Sequence, residues 1–386
     1  MRQFYVSAAM VKAYHKPYLP FFVIFIFTSI LLLCSNSAKC EAAFLHSTYL
    51  LFTKRFFMRR ILLITMAAIA VSTQSNAQWG KGFYIKVAGG YFFSVSPGQF
   101  PDVGPYPPRD EHDAINPGTG ATTKIREKVL TGSYGEGVRG GITGGYVINK
   151  HISIELTANY FSSKKNLMTR NVTTIQGTET EVGRIESKGN VQAIDIAPSI
   201  VLSPGYDKFN PYVRFGFVVP VWGRLYIETD ASRTSAVAGQ PSFVVARTAI
   251  HRKEEIHPNP TIGFQGALGC TYKINEKLGL FLEAEYRNVP VRSKNKEVTT
   301  YNENTKIINT NTGQQVGGDI NRGLGDLSVA ERNTDYVTTL DQNSNTPTGT
   351  TGTVTHYKND NAPANDLKSY INIGGLGANL GLRVRL

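Results

Sequence analysis

His151-Ile152-Ser153, with Glu155 two positions further on, is the stretch whose residue types and spacing could support nucleophilic catalysis. A histidine that takes the serine proton, held by a carboxylate, turns a hydroxyl into a nucleophile. In "HISIELTANYF", however, Ser153 and Glu155 share the polar face of an alternating strand with Thr157 and Asn159, and there a serine serves packing. Arg109-Asp110-Glu111-His112-Asp113 and the pair His251 and His257 offer carboxylate and imidazole ligands. A metal site needs three or four of these converging on one point, and both groups fall in segments that read as surface loops, where charge is solvated. Asn171-Val172-Thr173 matches a glycosylation sequon and carries little weight. These residues are read as non-catalytic, with no cofactor and no metal.

Composition narrows the class further. Eight of the 41 Lys and Arg, and one of the 29 Asp and Glu, lie in residues 1–77, so the formal charge drops from +12 to +5 over residues 78–386. Much of the basicity is thus targeting charge, and a nucleic-acid partner loses its support. Arg59 and Arg60, the apolar run Ile61–Val71 and the Ser75-Asn76-Ala77 site form a complete secretory signal over residues 58–77. Residues 1–57 hold a second apolar run, Pro20 to Cys34, too short for a spanning helix. With Leu33 before Cys34 there is no lipoprotein site, and the extension reads as a start placed upstream of Met58. The exported chain, residues 78–386, is expected to begin near Gln78. Only Cys270 remains in it, which excludes a disulfide framework or a CxxC pair.

What must position the polar residues is a set of strands. In "KLGLFLEAEYR", Leu278, Leu280, Leu282, Ala284 and Tyr286 alternate with Gly279, Phe281, Glu283, Glu285 and Arg287. A period of two with one apolar and one polar face marks a strand between two environments. Seven further segments behave alike: "GFYIKVAGGYFFSV", "GGITGGYVI", "HISIELTANYF", "VQAIDIAPSIVL", "PYVRFGFVV", "TIGFQGALGCTY" and "LGANLGLRVRL". Pro198, Pro211 and Pro220 each remove a ladder donor and mark bulges or strand ends. Connections alternate between tight turns near Lys150, Gly205 and Glu276 and long Asn-, Thr- and Gly-rich stretches at about 96–137, 162–189, 229–258 and 295–366. Short turns on one side and long loops on the other, on an even strand count, are the asymmetry of outer-membrane barrels.

The order of residue types along the apolar face sets its surroundings. Ile85, Val87, Ile154, Leu156, Leu280 and Leu282 occupy the middle, while Phe83, Tyr146 and Tyr272 gather at the turn side and Tyr91, Phe93, Tyr160 and Tyr286 at the loop side. Two aromatic girdles around an aliphatic band indicate lipid outside. On these features the chain resembles the eight-stranded outer-membrane barrel family, similar to the transmembrane domain of outer membrane protein A and the small adhesion barrels. Its Gly- and aromatic-rich strands look like those of Bacteroidetes. Leu386 stands where that family ends in Phe, and the peptidoglycan-binding domain that often follows is missing.

The expected fold is therefore all-β: an eight-stranded antiparallel up-and-down transmembrane β-barrel with short periplasmic turns and long extracellular loops, in a Gram-negative outer membrane. Its partners would be outer-membrane lipid and lipopolysaccharide, the barrel assembly machinery and an extracellular ligand of the loops. Lys86, Glu155, Asp195, Arg214, Glu283, Glu285, Arg287, Arg383 and Arg385 fall on the polar face. In so narrow a bore they should pair as a plug. The expected role is structural or adhesive, a narrow solute channel being the alternative. Lipid A deacylase barrels use a His-x-Ser pair with a distant Glu, but near the outer leaflet, whereas His151 and Ser153 abut a short turn.

Overall fold

The computed structural model describes residues 81–386 apart from Ser96 and Pro260. The signal segment and the extension before it lie outside the described residues. Among the described residues, which are mostly strand, a ring of neighbours is formed by β1 (Gly82–Phe93), β2 (Gly137–Val147), β3 (Ile152–Ser163), β4 (Glu181–Leu202), β5 (Phe209–Ala236), β6 (Gly263–Lys273), β7 (Leu278–Asn288) and β8 (Leu376–Arg385). Each pairs antiparallel with the next, and β8 pairs back onto β1 from Tyr84↔Arg385 to Phe93↔Leu376. The strands are thus linked in a ring of neighbours, from β1 round to β8 and back.

Alternation along these strands matches the two faces read from the sequence. Phe83, Val87, Ile142, Leu156, Phe217, Leu268 and Leu282 are exposed, while Lys86, Glu155, Asp195, Arg214, Glu283, Glu285 and Arg287 are buried. A water-soluble barrel would show the reverse, because apolar surface leaves water spontaneously and charge does not. Large rings fill the interior only because glycines on neighbouring strands admit them. A Cβ on Gly269 would stand 2.5 Å from the Tyr212 ring, and one on Gly381 would stand 2.6 Å from that of Phe281.

Pro220 acts as its chemistry requires. The β4–β5 register shifts between Pro220 and Trp222, and the extra residue switches which parity faces inward. Before it Tyr212, Arg214 and Val218 are buried; after it Leu225 and Ile227 are.

The long connections depart from the irregular loops expected. β4 begins at Glu181 and β5 runs to Ala236, each far beyond the roughly 9–11 residues that cross a bilayer. Beyond the circuit β5 pairs with Val244–Asn259, which pairs with Pro290–Asn309. On the other flank Asn166–Ile175 joins β4, and Arg109–Ile115 runs parallel beside it with Thr122–Val129 outermost. We call this folded region the crown. At its base, inward-facing Val191, Ala193, Ala197, Val218 and Leu225 pack with Phe100, Val103, Tyr134, Met168, Val289 and Ile373 into one apolar cluster.

Candidate functional site

The buried polar residues converge on the middle of the strand circuit. Lys86 on β1 lies 2.6 Å from Glu155 on β3 and 3.6 Å from Glu283 on β7. Arg214 on β5 bonds Glu283 at 2.7 Å and Glu285 at 3.3 Å. Arg287 lies 2.8 Å from Asp195 and 2.9 Å from Glu285. Neutral groups take the remaining lone pairs: the Tyr84 and Tyr212 hydroxyls donate to Glu155 and Glu283, Asn159 to Asp195 and Asn379 to Glu285. Gln265 accepts from Arg287 and donates to Ser199.

Strand geometry makes this convergence. Every second residue of a strand faces inward, so Glu283, Glu285 and Arg287 form one row on β7, and β5 and β8 face it with Arg214 and Asn379. Seven of the nine charged residues expected inside meet in this layer. Arg383 is stacked 3.8 Å over the Tyr84 ring, and Arg385 is half-buried beside Gly82 at the turn end. Arg139, which the sequence reading passed over, is buried 3.9 Å from Glu285 and 4.0 Å over the Phe92 ring. It brings the layer to four cations, Lys86, Arg139, Arg214 and Arg287, against Glu155, Asp195, Glu283 and Glu285. The signal was the inward parity of "GVRGGITGGYV", hidden by its glycines. A cavity of only about 20 Å³ lies among these side chains, room for roughly one water molecule.

The other chemically suggestive residues stand apart. His151 sits at the β2–β3 turn, its Nδ1 3.1 Å from the Ser203 carbonyl oxygen, and Glu155 is held by Lys86 and Tyr84. Among the described residues the His151 imidazole is not joined to Glu155, so no imidazole–hydroxyl–carboxylate relay forms there. The Arg109–Asp113 carboxylates are saturated by cations and amides: Asp110 by Arg170 and Arg126, Glu111 by Lys124, and Asp113 by Asn171. His251 bonds Asp230 at 2.7 Å. Cys270 is a free thiol on β6. Among the described residues no three His, Cys, Asp or Glu side chains form a metal-binding group, and no helix is long and apolar enough to cross a membrane.

The crown carries its own ion pairs, and these give it a pH dependence. Hydrogen bonds from Arg170 hold the Asp110 carboxyl below its ordinary range. For Glu254, burial opposes ionisation but is outweighed by Arg252 and Lys296, and its carboxyl too is lowered. Burial and the Arg322 hydrogen bonds oppose each other at Glu331 with the same net direction. A carboxyl depressed on folding adds stability that is complete above its unfolded value of about 4 and is lost as pH falls through the folded one. Peptic digestion should therefore cut the crown, near Arg109–Ile115 and Ser328–Arg332, as pH drops from about 4 to 2 while the strand circuit stays intact. Cleavage beginning in the circuit would show that these pairs do not govern acid stability.

Comparison with known proteins agrees with this inverted architecture. No curated protein matches the chain, but the family model described as "Outer membrane protein beta-barrel domain" matches residues 61–317. With more than half of its length inside that match, and charge inside with apolar side chains outside, the chain belongs to the outer-membrane β-barrel domain family.

Proposed function

We propose that the protein is an eight-stranded up-and-down barrel, similar in build to the transmembrane domain of outer membrane protein A, that closes its own lumen and displays a folded crown outside the cell. The observation that carries this is the interior: four cations and four carboxylates in mutual contact around a space for one water. A conducting channel lines its bore with charge but keeps it wet. The turns at Asn149–Lys150 and Asn275–Lys277 face the periplasm in this reading. The work is then done by the crown, in surface interaction or support of the envelope. Its cleft of about 780 Å³ between β5, Val244–Asn259 and Pro290–Asn309, lined by Arg184, Glu186, Asp230, His251 and Arg322, offers both charges to a polar ligand. Lipopolysaccharide would surround the apolar belt, and insertion would use the barrel assembly machinery.

An epitope inserted after Thr346 should be labelled by antibody on intact cells. Labelling only after permeabilisation would reverse the orientation and take the crown away from any extracellular partner.

The same reading makes the protein non-enzymatic. His151→Ala and Ser153→Ala should leave the lipid A mass spectrum identical to wild type. Loss of an acyl chain in wild-type cells that either variant restores would establish a deacylase instead.

A further inference from the structure

Among the described residues the wall of the strand circuit is interrupted between β5 and β6. β5 pairs with β6 up to Val218 and with Val244–Asn259 from Leu225 onward. Between those points, among the described residues, it has no ladder partner on that side. The cause is in the sequence: Pro220 and Pro258 lack amide donors, and the bulge at Val221 turns the strand. Behind the break lies a cavity of about 150 Å³, a size that admits a benzene-sized apolar guest. Val191, Ala193, Leu225 and Ile256 line its inner wall and belong to the buried apolar cluster. Val221 and Trp222 at its mouth are exposed on the apolar belt. Trp222 pairs with Ile194, as does Tyr160 from the other side, so the mouth opens at the loop-side aromatic girdle.

Two arginines stand at this opening. Arg224 stacks 5.6 Å from the Trp222 ring and lies 3.8 Å from Glu255. Exposed Arg292 stacks on Tyr370 and has no carboxylate within ion-pair distance among the described residues. A mainly apolar pocket reached from the lipid belt, with guanidinium groups at its opening, matches a molecule that is apolar at one end and anionic at the other.

We propose that this break is a binding site for a short segment of one acyl chain of an anionic lipid from the surrounding leaflet. The chain enters between β5 and β6, and its headgroup meets Arg292 and Arg224. The inference rests on the transmembrane reading above, since lipid must lie against Val221 and Trp222. Lipid is the committed occupant because the mouth lies within the belt.

The sequence holds two tryptophans, Trp79 and Trp222, so Trp79→Phe leaves Trp222 as the sole reporter. Full-length protein in a neutral detergent is titrated with phosphatidylglycerol carrying brominated acyl chains, which quench indole on contact. Quenching should saturate near one lipid per protein. Phosphatidylcholine with the same chains, and the Arg224→Gln/Arg292→Gln variant, should each require at least about tenfold more lipid. Ala193→Leu, which fills the pocket, should remove the saturable phase. Quenching that rises linearly, that is equal for both headgroups, or that survives Ala193→Leu would overturn the proposal. A free brominated fatty acid binding more tightly than the lipid would overturn the choice of occupant. In bilayers of brominated phosphatidylcholine Trp222 should be quenched whatever the pocket does. No quenching there would sink the transmembrane reading itself, whereas quenching there without an anion-selective phase sinks only the lipid site.

Discussion

Glu283→Leu should lower the unfolding free energy of the detergent-solubilised protein by about 3–5 kcal/mol, the range for removing one partner of a buried ion pair. Glu283 accepts from Arg214 and Tyr212 and lies within ion-pair reach of Lys86, so its loss leaves a surplus positive charge in a layer that holds four of each sign. Leu282→Ala, one residue away on the exposed face, loses only apolar contact and should cost ~1–2 kcal/mol. The contrast tests the assignment of faces, since swapped faces would reverse the order. A second comparison isolates the pairing. Glu283→Leu/Arg214→Leu should be less destabilised than the sum of the two single variants, because removing both partners leaves less unpaired charge. Additive losses would mean that the two groups act independently despite their 2.7 Å contact.

This layer was legible in the sequence where the strand separates two unlike environments. "KLGLFLEAEYR" declares both faces because lipid-side and interior positions demand opposite chemistry, and the structure buries Phe281, Glu283, Glu285 and Arg287 as one row. Arg139 was missed because Gly137, Gly140, Gly141, Gly144 and Gly145 thin out both faces of its strand. The crown was missed for a different reason. Thr122–Val129 is exposed at every position, and the outer parts of β4 and β5 are wetted on both faces, so neither face is selected for apolar residues and no period of two survives. Those strands are held by ladders and ion pairs with residues distant in sequence, such as Asp110 with Arg170. Neither pattern nor propensity reveals that kind of pairing. The apolar cluster at the crown's base draws Phe100, Tyr134 and Met168 from segments read as loops, and only the tertiary fold brings them together.

That cluster changes what an electrical measurement should show. In the closed-lumen reading proposed above, the bore carries two barriers in series: the charged layer around Glu283 and Arg214, and the apolar packing of Phe100, Val103, Tyr134 and Met168. An ion crossing the first must displace existing pairs, and crossing the second must shed water with no polar partner in return. The wild-type protein in a planar bilayer should therefore show at most small, intermittent conductance. Replacing Glu283 and Arg214 together by Ala opens space in the charged layer alone and should still give no steady current, because the apolar layer remains dry. Replacing Phe100, Tyr134 and Met168 by Ala removes only the apolar barrier, and the salt-bridged layer should still block. The five substitutions combined should yield a sustained current, with selectivity set by the charges left behind, Lys86, Arg139 and Arg287 against Glu155, Asp195 and Glu285. A steady, large current through the wild-type protein would instead mean that the lumen is water-filled. The protein would then be a channel, and the same charged residues would act as its selectivity lining.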